Sequence, residues 1–211
     1  MNTITHHIPE PILAAYAAGS LDHPFALVVA AHLSLCDECR ASFEAHEAVG
    51  GALLEETAPE ALSPDLKSGL MAMLDAPFEP EPVHRRSGVY PGPVMEALKG
   101  RPPRWKRLGG GVRQTILSAG ETGSARLLYI PAGQAVPDHG HNGMELTLVL
   151  QGSFSDETGQ FRVGDVEIAD DTLEHTPVAG AGADCICLAA TDAPLRFSSM
   201  IPRLLQPIFR I

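Results

Sequence analysis

Eight side chains of the 211-residue sequence stand at spacings that suit metal ligation. His7, His32, Cys36 and Cys39 form the pattern H-x24-H-x3-C-x2-C. On a helix, His32 and Cys36 at i and i+4 share one face, one turn apart. Cys39 can return to the same point across the start of the next helix. His7, just ahead of the first helix, completes a set of two nitrogens and two sulfurs. Such a closed tetrahedral set is the chemistry of structural zinc, and a module of about 75 residues has a core thin enough to need the staple. On spacing alone His6 is an alternative to His7. A lone CxxC also admits a redox pair, although no βαβ pattern surrounds it. His23 and His46 have no partner at ligand spacing.

The second constellation runs from Gly133 to Gly152 as G-x5-H-x-H-x3-E-x6-G. His139 and His141, two apart on a strand, point to the same face. Glu145 follows a short Gly-containing turn, and His175 arrives from a later strand after Gly164-Asp165. Three imidazoles and one carboxylate suit zinc or another divalent transition metal, with solvent positions left open. Cys185 and Cys187 alternate on a strand and share one side, either as small buried hydrophobes or as a redox pair near the metal. Glu174 falls on the opposite face from His175.

Helices must position the first set. Residues 9–75 carry apolar side chains at helical spacing: Ile12, Leu13, Tyr16 and Ala17 precede a stop at Gly19, and Phe25 to Leu35 is apolar almost all round. A third helix starts at Asp37 and runs to about Glu56 with Phe43, Val49 and Leu53 inward. Ser63-Pro64-Asp65 opens a fourth carrying Leu66, Leu70, Met71 and Leu74. Five prolines then fall between Ala76 and Pro93, a linker that is partly polyproline II and able to reach about 50 Å. From Trp105 the period becomes two, in VRQTIL, ARLLYIP, MELTLVLQG, FRVGDVEIA and CICLAAT, as in an antiparallel sandwich or barrel. The triple glycine 109–111 precedes a strand rather than a helix and reads as a turn, not a phosphate loop. The tail from Leu195 closes the barrel or packs on the helical part.

The formal charge of −11 repels phosphate backbones and disfavours direct nucleic-acid binding. It is also unevenly placed: residues 1–84 hold 2 basic against 13 acidic residues, and residues 85–211 hold 13 of each. No apolar run approaches the roughly twenty residues of a membrane span, and MNTITHHIPE does not read as a signal peptide. The expected setting is the cytoplasm, with no membrane partner.

The upstream His together with HLSLCDEC resembles the zinc-binding anti-sigma (ZAS) domain of bacterial transcription regulators, over residues 5–75. The second constellation resembles the first cupin motif over its full length. The second cupin motif is matched at Gly164 and His175, while Asp170, Thr172 and Ala179 stand at its Pro, Gly and Asn positions. With GGGVRQ, PDHGH, ELTLVLQG and LEHTPV added, nearly the whole chain resembles the ChrR-type anti-sigma factors. The resemblance implies an α + β chain of two domains: a helical zinc-binding anti-sigma domain at 1–76, a Pro-rich linker at 77–94 and a cupin jelly-roll barrel at 95–211. It makes His7, His32, Cys36 and Cys39 ligands of one zinc, and His139, His141, Glu145 and His175 ligands of a zinc or other divalent metal. It implies a regulator, not an enzyme, that sequesters an extracytoplasmic-function (ECF, group IV) sigma factor and releases it under singlet oxygen or related oxidants. An acidic clamp suits a basic sigma factor. The competing class is a metal-dependent cupin enzyme of dioxygenase or isomerase type, against which no orienting Arg or Tyr stands out beside the ligands. A third reading is a ligand-binding sensor without redox chemistry.

Overall fold

The computed structural model describes residues 3–74, 77, 80–140 and 142–194, and the backbone of 196–197. Helices come first: α1 (Glu10–Ala17), α2 (His23–Leu33), α3 (Asp37–Glu55), α4 (Leu66–Met73) and α5 (Gly92–Ala97). Proline occupies the first turn of α1, α2 and α5, where its missing N–H would have no partner in any case. Gly19, at φ +66°, ends α1 in the left-handed region, and the N–H groups of Gly19 and Ser20 bond Tyr16 O and Ala15 O. Cys36 caps α3, its sulfur accepting the Cys39 N–H.

The expected inward set of α3 holds only in part. Phe43 packs on Tyr16, with ring centroids 5.3 Å apart, whereas Val49 and Leu53 are 60% and 63% exposed. The reason is length. α1 has eight residues, about 12 Å of helix, and its contacts with α3 reach Ser42, Phe43 and His46. The last turns of α3 have no neighbouring helix among the described residues. α4 likewise buries none of its residues.

The Pro-rich stretch is not extended throughout. Asp75, Ala76, Phe78 and Glu79 lie outside the described residues. Further on, Ser87 and Tyr90 exchange backbone hydrogen bonds of 3.0 and 3.1 Å. α5 follows, with Val94 and Met95 buried, because Val89, Tyr90 and Val94 supply apolar surface that packs on the core containing α2.

The strands are β1 (Lys106–Gly109), β2 (Val112–Gly120), β3 (Gly123–Ile130), β4 (His139–Gly140), β5 (Glu145–Gln151), β6 (Ser153–Ser155), β7 (Gln160–Arg162), β8 (Val166–Ala169), β9 (Glu174–His175), β10 (Val178–Ala179), β11 (Cys185–Thr191) and β12 (Arg196–Phe197). All pairs are antiparallel, in sheets ordered β1-β2-β3-β11-β5-β8, β10-β6-β7 and β12-β4-β9. Glycines 109–111, all at positive φ, lie at the β1–β2 turn. Leu195 and residues 198–211, most of the tail, lie outside the described residues.

Alternation divides the central strands into two faces. Leu127, Leu146, Leu148 and Leu188 form the outer face and share one core with Phe25, Leu27, Val28 and Val29 of α2. Ile130, Val149, Phe154, Phe161, Cys185 and Cys187 form the interior of the barrel. Helices and barrel thus meet through a continuous apolar layer.

Candidate metal centres

The first centre sits where α2 ends and α3 begins. One ligand atom from each of His7, His32, Cys36 and Cys39 lies within 4.8 Å of all the others. His7 Nδ1 is 3.4 Å from Cys36 Sγ and 3.5 Å from Cys39 Sγ. With Zn–N near 2.05 Å and Zn–S near 2.3 Å, a tetrahedral site requires N···S separations of about 3.6 Å, so the pocket has the right size. His6 points elsewhere: its ring lies 4.5 Å from that of Phe161 and its Nδ1 is 3.6 Å from Asp165. Of the two candidate histidines, it is His7 that stands beside the sulfurs.

The proton arrangement also suits a metal. His32 is fully buried, and its Nδ1–H donates to Gly164 O at 2.9 Å. Its Nε2 is buried and finds no hydrogen-bond partner among the described residues. An orphaned buried acceptor costs about 1–3 kcal/mol, a penalty that a metal bond removes. Burial pushes the His32 pKa down to about 4, with the Gly164 bond opposing, so the imidazole is neutral and Nε2 keeps its lone pair. Burial pushes the Cys39 thiol up to about 11, reinforced by Cys36, and a cation is what would make it a thiolate. His7 directs Nε2 to Glu38, 3.5 Å away, the outer-shell carboxylate that metal-bound histidines commonly use.

Of the second constellation, the structure brings His139 and His175 together on the barrel. His139 and His175 are direct cross-strand partners on β4 and β9, with ring centroids 4.7 Å apart. His139 Nδ1–H donates to Pro137 O at 2.9 Å and His175 Nδ1–H to Asp156 Oδ2 at 2.6 Å. Each histidine therefore commits Nδ1 to the protein. Burial lowers the His139 pKa, and the charge of Glu145 opposes it, but among the described residues the ligand atoms of His139, Glu145 and His175 do not all come within 4.8 Å of one another. Glu145 accepts from Thr147 Oγ1 at 2.8 Å. His141 lies outside the described residues. Glu174 is exposed while His175 is buried, as alternation requires. Where the second cupin motif has Pro and Gly, Asp170 Oδ1 accepts the Thr172 N–H at 2.9 Å, an Asx turn.

Sequence reasoning missed the groups behind His175. Asp156, Glu167 and His175 offer ligand atoms within 4.8 Å of one another, and Glu167 Oε1 is 3.3 Å from His175 Nδ1. Burial first, then Asp156, raises the Glu167 pKa to about 8 against the pull of His175. Although burial penalises its ion, Asp156 is held below the usual carboxylate range by hydrogen bonds from Glu167, Thr158 and His175. Burial disfavours the His175 cation as well, but Glu167 and Asp156 together lift it to about 9. Of the two carboxyls, Asp156 is the one favoured to ionise and Glu167 the one favoured to keep its proton, and Asp156 orients the imidazole by accepting its Nδ1–H. The available signal was an acid in the inward register of VEIA, where Glu167 and Ala169 are buried and Ile168 is exposed.

Arg126 was missed too. It is buried opposite Ala189 on the interior face, donating to Gln114 Oε1 at 3.2 Å and Ser124 Oγ at 2.7 Å. Burial lowers its pKa and the charge of Glu145 opposes this, so a buried cation interacts electrostatically with one of the proposed ligands. Cys185 and Cys187 are buried with sulfurs 3.4 Å apart. The hydrogen bond to Cys185, burial, and the charges of Glu167 and Glu145 push the Cys187 thiol well up. A thiol that resists ionisation is a poor nucleophile, which favours the apolar reading of this pair.

Comparison with known proteins bears on both centres. Residues 98–194 match the model of the ChrR cupin-like domain. The chain is similar to the anti-sigma-E factor ChrR of Cereibacter sphaeroides, 60% identical over 212 residues that cover 99% of this chain and 100% of that one. It is also similar to the crystal structure of Rhodobacter sphaeroides SigE in complex with the anti-sigma ChrR, at 58% identity and TM-score 0.81, covering 90% of this chain and 100% of that one.

Proposed function

The chain belongs to the ChrR family of anti-sigma factors, and from that premise we propose that its helical part holds an ECF sigma factor inactive while its barrel senses the oxidant that triggers release. It is a regulator rather than an enzyme, and its protein partner is a sigma factor. The single observation that carries the clamp is an unpartnered apolar face: Leu53 and Leu54 at the end of α3, and Leu66, Leu70, Met71 and Leu74 in and after α4, are all exposed. They lie in the part of the chain that carries the whole net charge, which suits a basic partner with an apolar seam. Phe25, Val28 and Val29, the other apolar cluster, are buried and not available for docking.

In this reading His7, His32, Cys36 and Cys39 hold a zinc that fixes the clamp. His139, His141, Glu145 and His175 hold zinc or another divalent metal, and Asp156 and Glu167 orient His175 behind it. The bound metal would supply an open coordination position at which an oxidant such as singlet oxygen changes the ligand state. The setting is the cytoplasm, where sigma factor and polymerase meet; no helix among the described residues is long and apolar enough to cross a membrane. The test is sigma release under photogenerated singlet oxygen from the wild-type complex and from His141→Ala. Loss of release in the variant supports metal-dependent sensing, and unchanged release overturns it.

A further inference from the structure

The barrel holds the segment that carries the first ligand of the helical centre. Thr5 and His6 donate backbone N–H groups to Asp165 Oδ1 at 2.7 and 3.0 Å, and His6 O accepts from Val166 N at 3.1 Å. The other carboxylate oxygen of Asp165 accepts the Arg162 N–H at 2.8 Å, which closes the turn. Gly164 sits at φ +95°, and a Cβ there would meet Ile4 Cδ1 at 2.5 Å and Cγ1 at 2.6 Å. Glycine is what lets the N-terminal segment lie this close. The carbonyl of the same Gly164 accepts from His32 Nδ1.

Two consecutive residues of one barrel turn therefore fix both imidazoles of the helical centre, His32 directly and His7 through the chain just before it. The two cysteines are held differently, inside the helical part, by the cap of α3. We infer that the Gly164–Asp165 turn is the outer shell of the helical metal centre, with Asp165 as a positioning residue, so that metal affinity and barrel docking form one coupled equilibrium. This rests on the zinc reading of that centre. Outer-shell partners of metal-bound histidines typically set affinity by 10- to 100-fold, and such coupling is reciprocal. The turn leads directly into β8, where Glu167 stands against His175. This short stretch thus connects the two candidate centres in sequence.

The test is zinc transfer from the full-length protein to a colorimetric chelator, with Asp165→Ala compared to wild type and to Asp184→Ala. Asp184 makes similar bonds at another barrel turn, to Ala132 N at 3.0 Å and Tyr129 Oη at 2.5 Å. Asp165→Ala is expected to weaken zinc binding by about 10- to 100-fold and Asp184→Ala to leave it unchanged within about twofold. Thr5→Pro deletes the backbone N–H and the hydroxyl that Thr5 donates to Asp165 and leaves the barrel sequence intact; it is expected to weaken zinc binding by about 2- to 10-fold. Equal effects of the two aspartate variants, or wild-type zinc affinity in a folded Asp165→Ala protein, overturn the inference. If Asp165→Ala does not fold, unchanged affinity in Thr5→Pro overturns it. A wild-type chain that binds no zinc through His7, His32, Cys36 and Cys39 overturns the zinc reading instead.

Discussion

Replacing Leu70 and Met71 together by alanine separates a docking face from a core. In the free chain each is 56% exposed, and their neighbours Leu66 and Leu74 are 42% and 75% exposed. Full burial of one such side chain is worth about 1.5–3 kcal/mol, so the exposed parts of Leu70 and Met71 amount to about one side chain still to be buried. Allowing for the methyl groups that remain, the double substitution is expected to weaken sigma binding by about 1–3 kcal/mol, or roughly 5- to 150-fold in Kd. Stability of the free protein is expected to stay within about 0.5 kcal/mol, because alanine is a good helix former and no core contact is lost. Phe25→Ala provides the contrast. That side chain is buried between α2 and the sheet, so its truncation is expected to cost about 3–5 kcal/mol of stability. Titration calorimetry at fixed salt gives Kd, and thermal unfolding gives stability. An intact double variant that binds sigma within twofold of wild type would refute the docking face. A large fall in its melting temperature would show that this face is already covered.

Three further outcomes follow from the site geometry. Asp156→Ala removes the orienting partner of His175 without touching a proposed ligand, and is expected to lower the barrel's metal affinity by about 10- to 100-fold; competition against a metal indicator measures it, and unchanged affinity sinks the outer-shell role. Cys185 and Cys187 are expected to resist iodoacetamide in the folded chain at pH 8, since the thiolate of Cys187 is disfavoured; rapid labelling located by mass spectrometry would contradict this. The three tyrosines are expected to ionise above their usual value of 10.0, through burial at Tyr16 and Tyr90 and the hydrogen bond to Asp184 at Tyr129. Because the folded pKa lies above the unfolded one, this contribution to stability is complete below pH 10 and is lost as pH rises through the folded value. Absorbance titration reads the midpoints, Asp184→Asn should bring one of them down, and a wild-type tyrosine that ionises at or below 10 refutes the assignment.

The gathering of His7, His32, Cys36 and Cys39 was legible because HxxxC spans the end of one helix and CxxC the start of the next, a junction that turns His32 and both sulfurs to one point. The burial of α2 was legible because an all-apolar helix has no face to give to water. Patterning did not reveal what covers a face. The apolar positions of α3 and α4 mark a stripe, but Val49, Leu53 and Leu70 are exposed because no element of the described chain is long enough to reach them. Glu167 and Asp156 were illegible for a different reason. An acid in a strand is ordinarily solvated, and only the pairing register of β8 turns Glu167 inward beside His175. The contact between Asp165 and Thr5 spans 160 residues, and no local period carries information over that distance.

The same contacts limit how release can work. A complex present at 100 times its Kd must be weakened by about 900-fold to fall to one-tenth occupancy, which is about 4 kcal/mol. Separating α2 from the sheet would expose Phe25, Leu27, Val28 and Val29, all buried in the shared core, at about 6–12 kcal/mol. That exceeds what the signal needs and would unfold the clamp rather than open it. Loosening the outer shell of the helical centre by 10- to 100-fold supplies about 1.4–2.7 kcal/mol, which falls short. The remaining 1–3 kcal/mol is the size of the contribution expected from Leu70 and Met71. On the proposed reading, release would combine loosening of the contacts of Thr5, His6 and His32 with the Gly164–Asp165 turn with loss of part of the exposed apolar seam. The α2–sheet core would stay closed throughout, since opening it costs more than the signal needs.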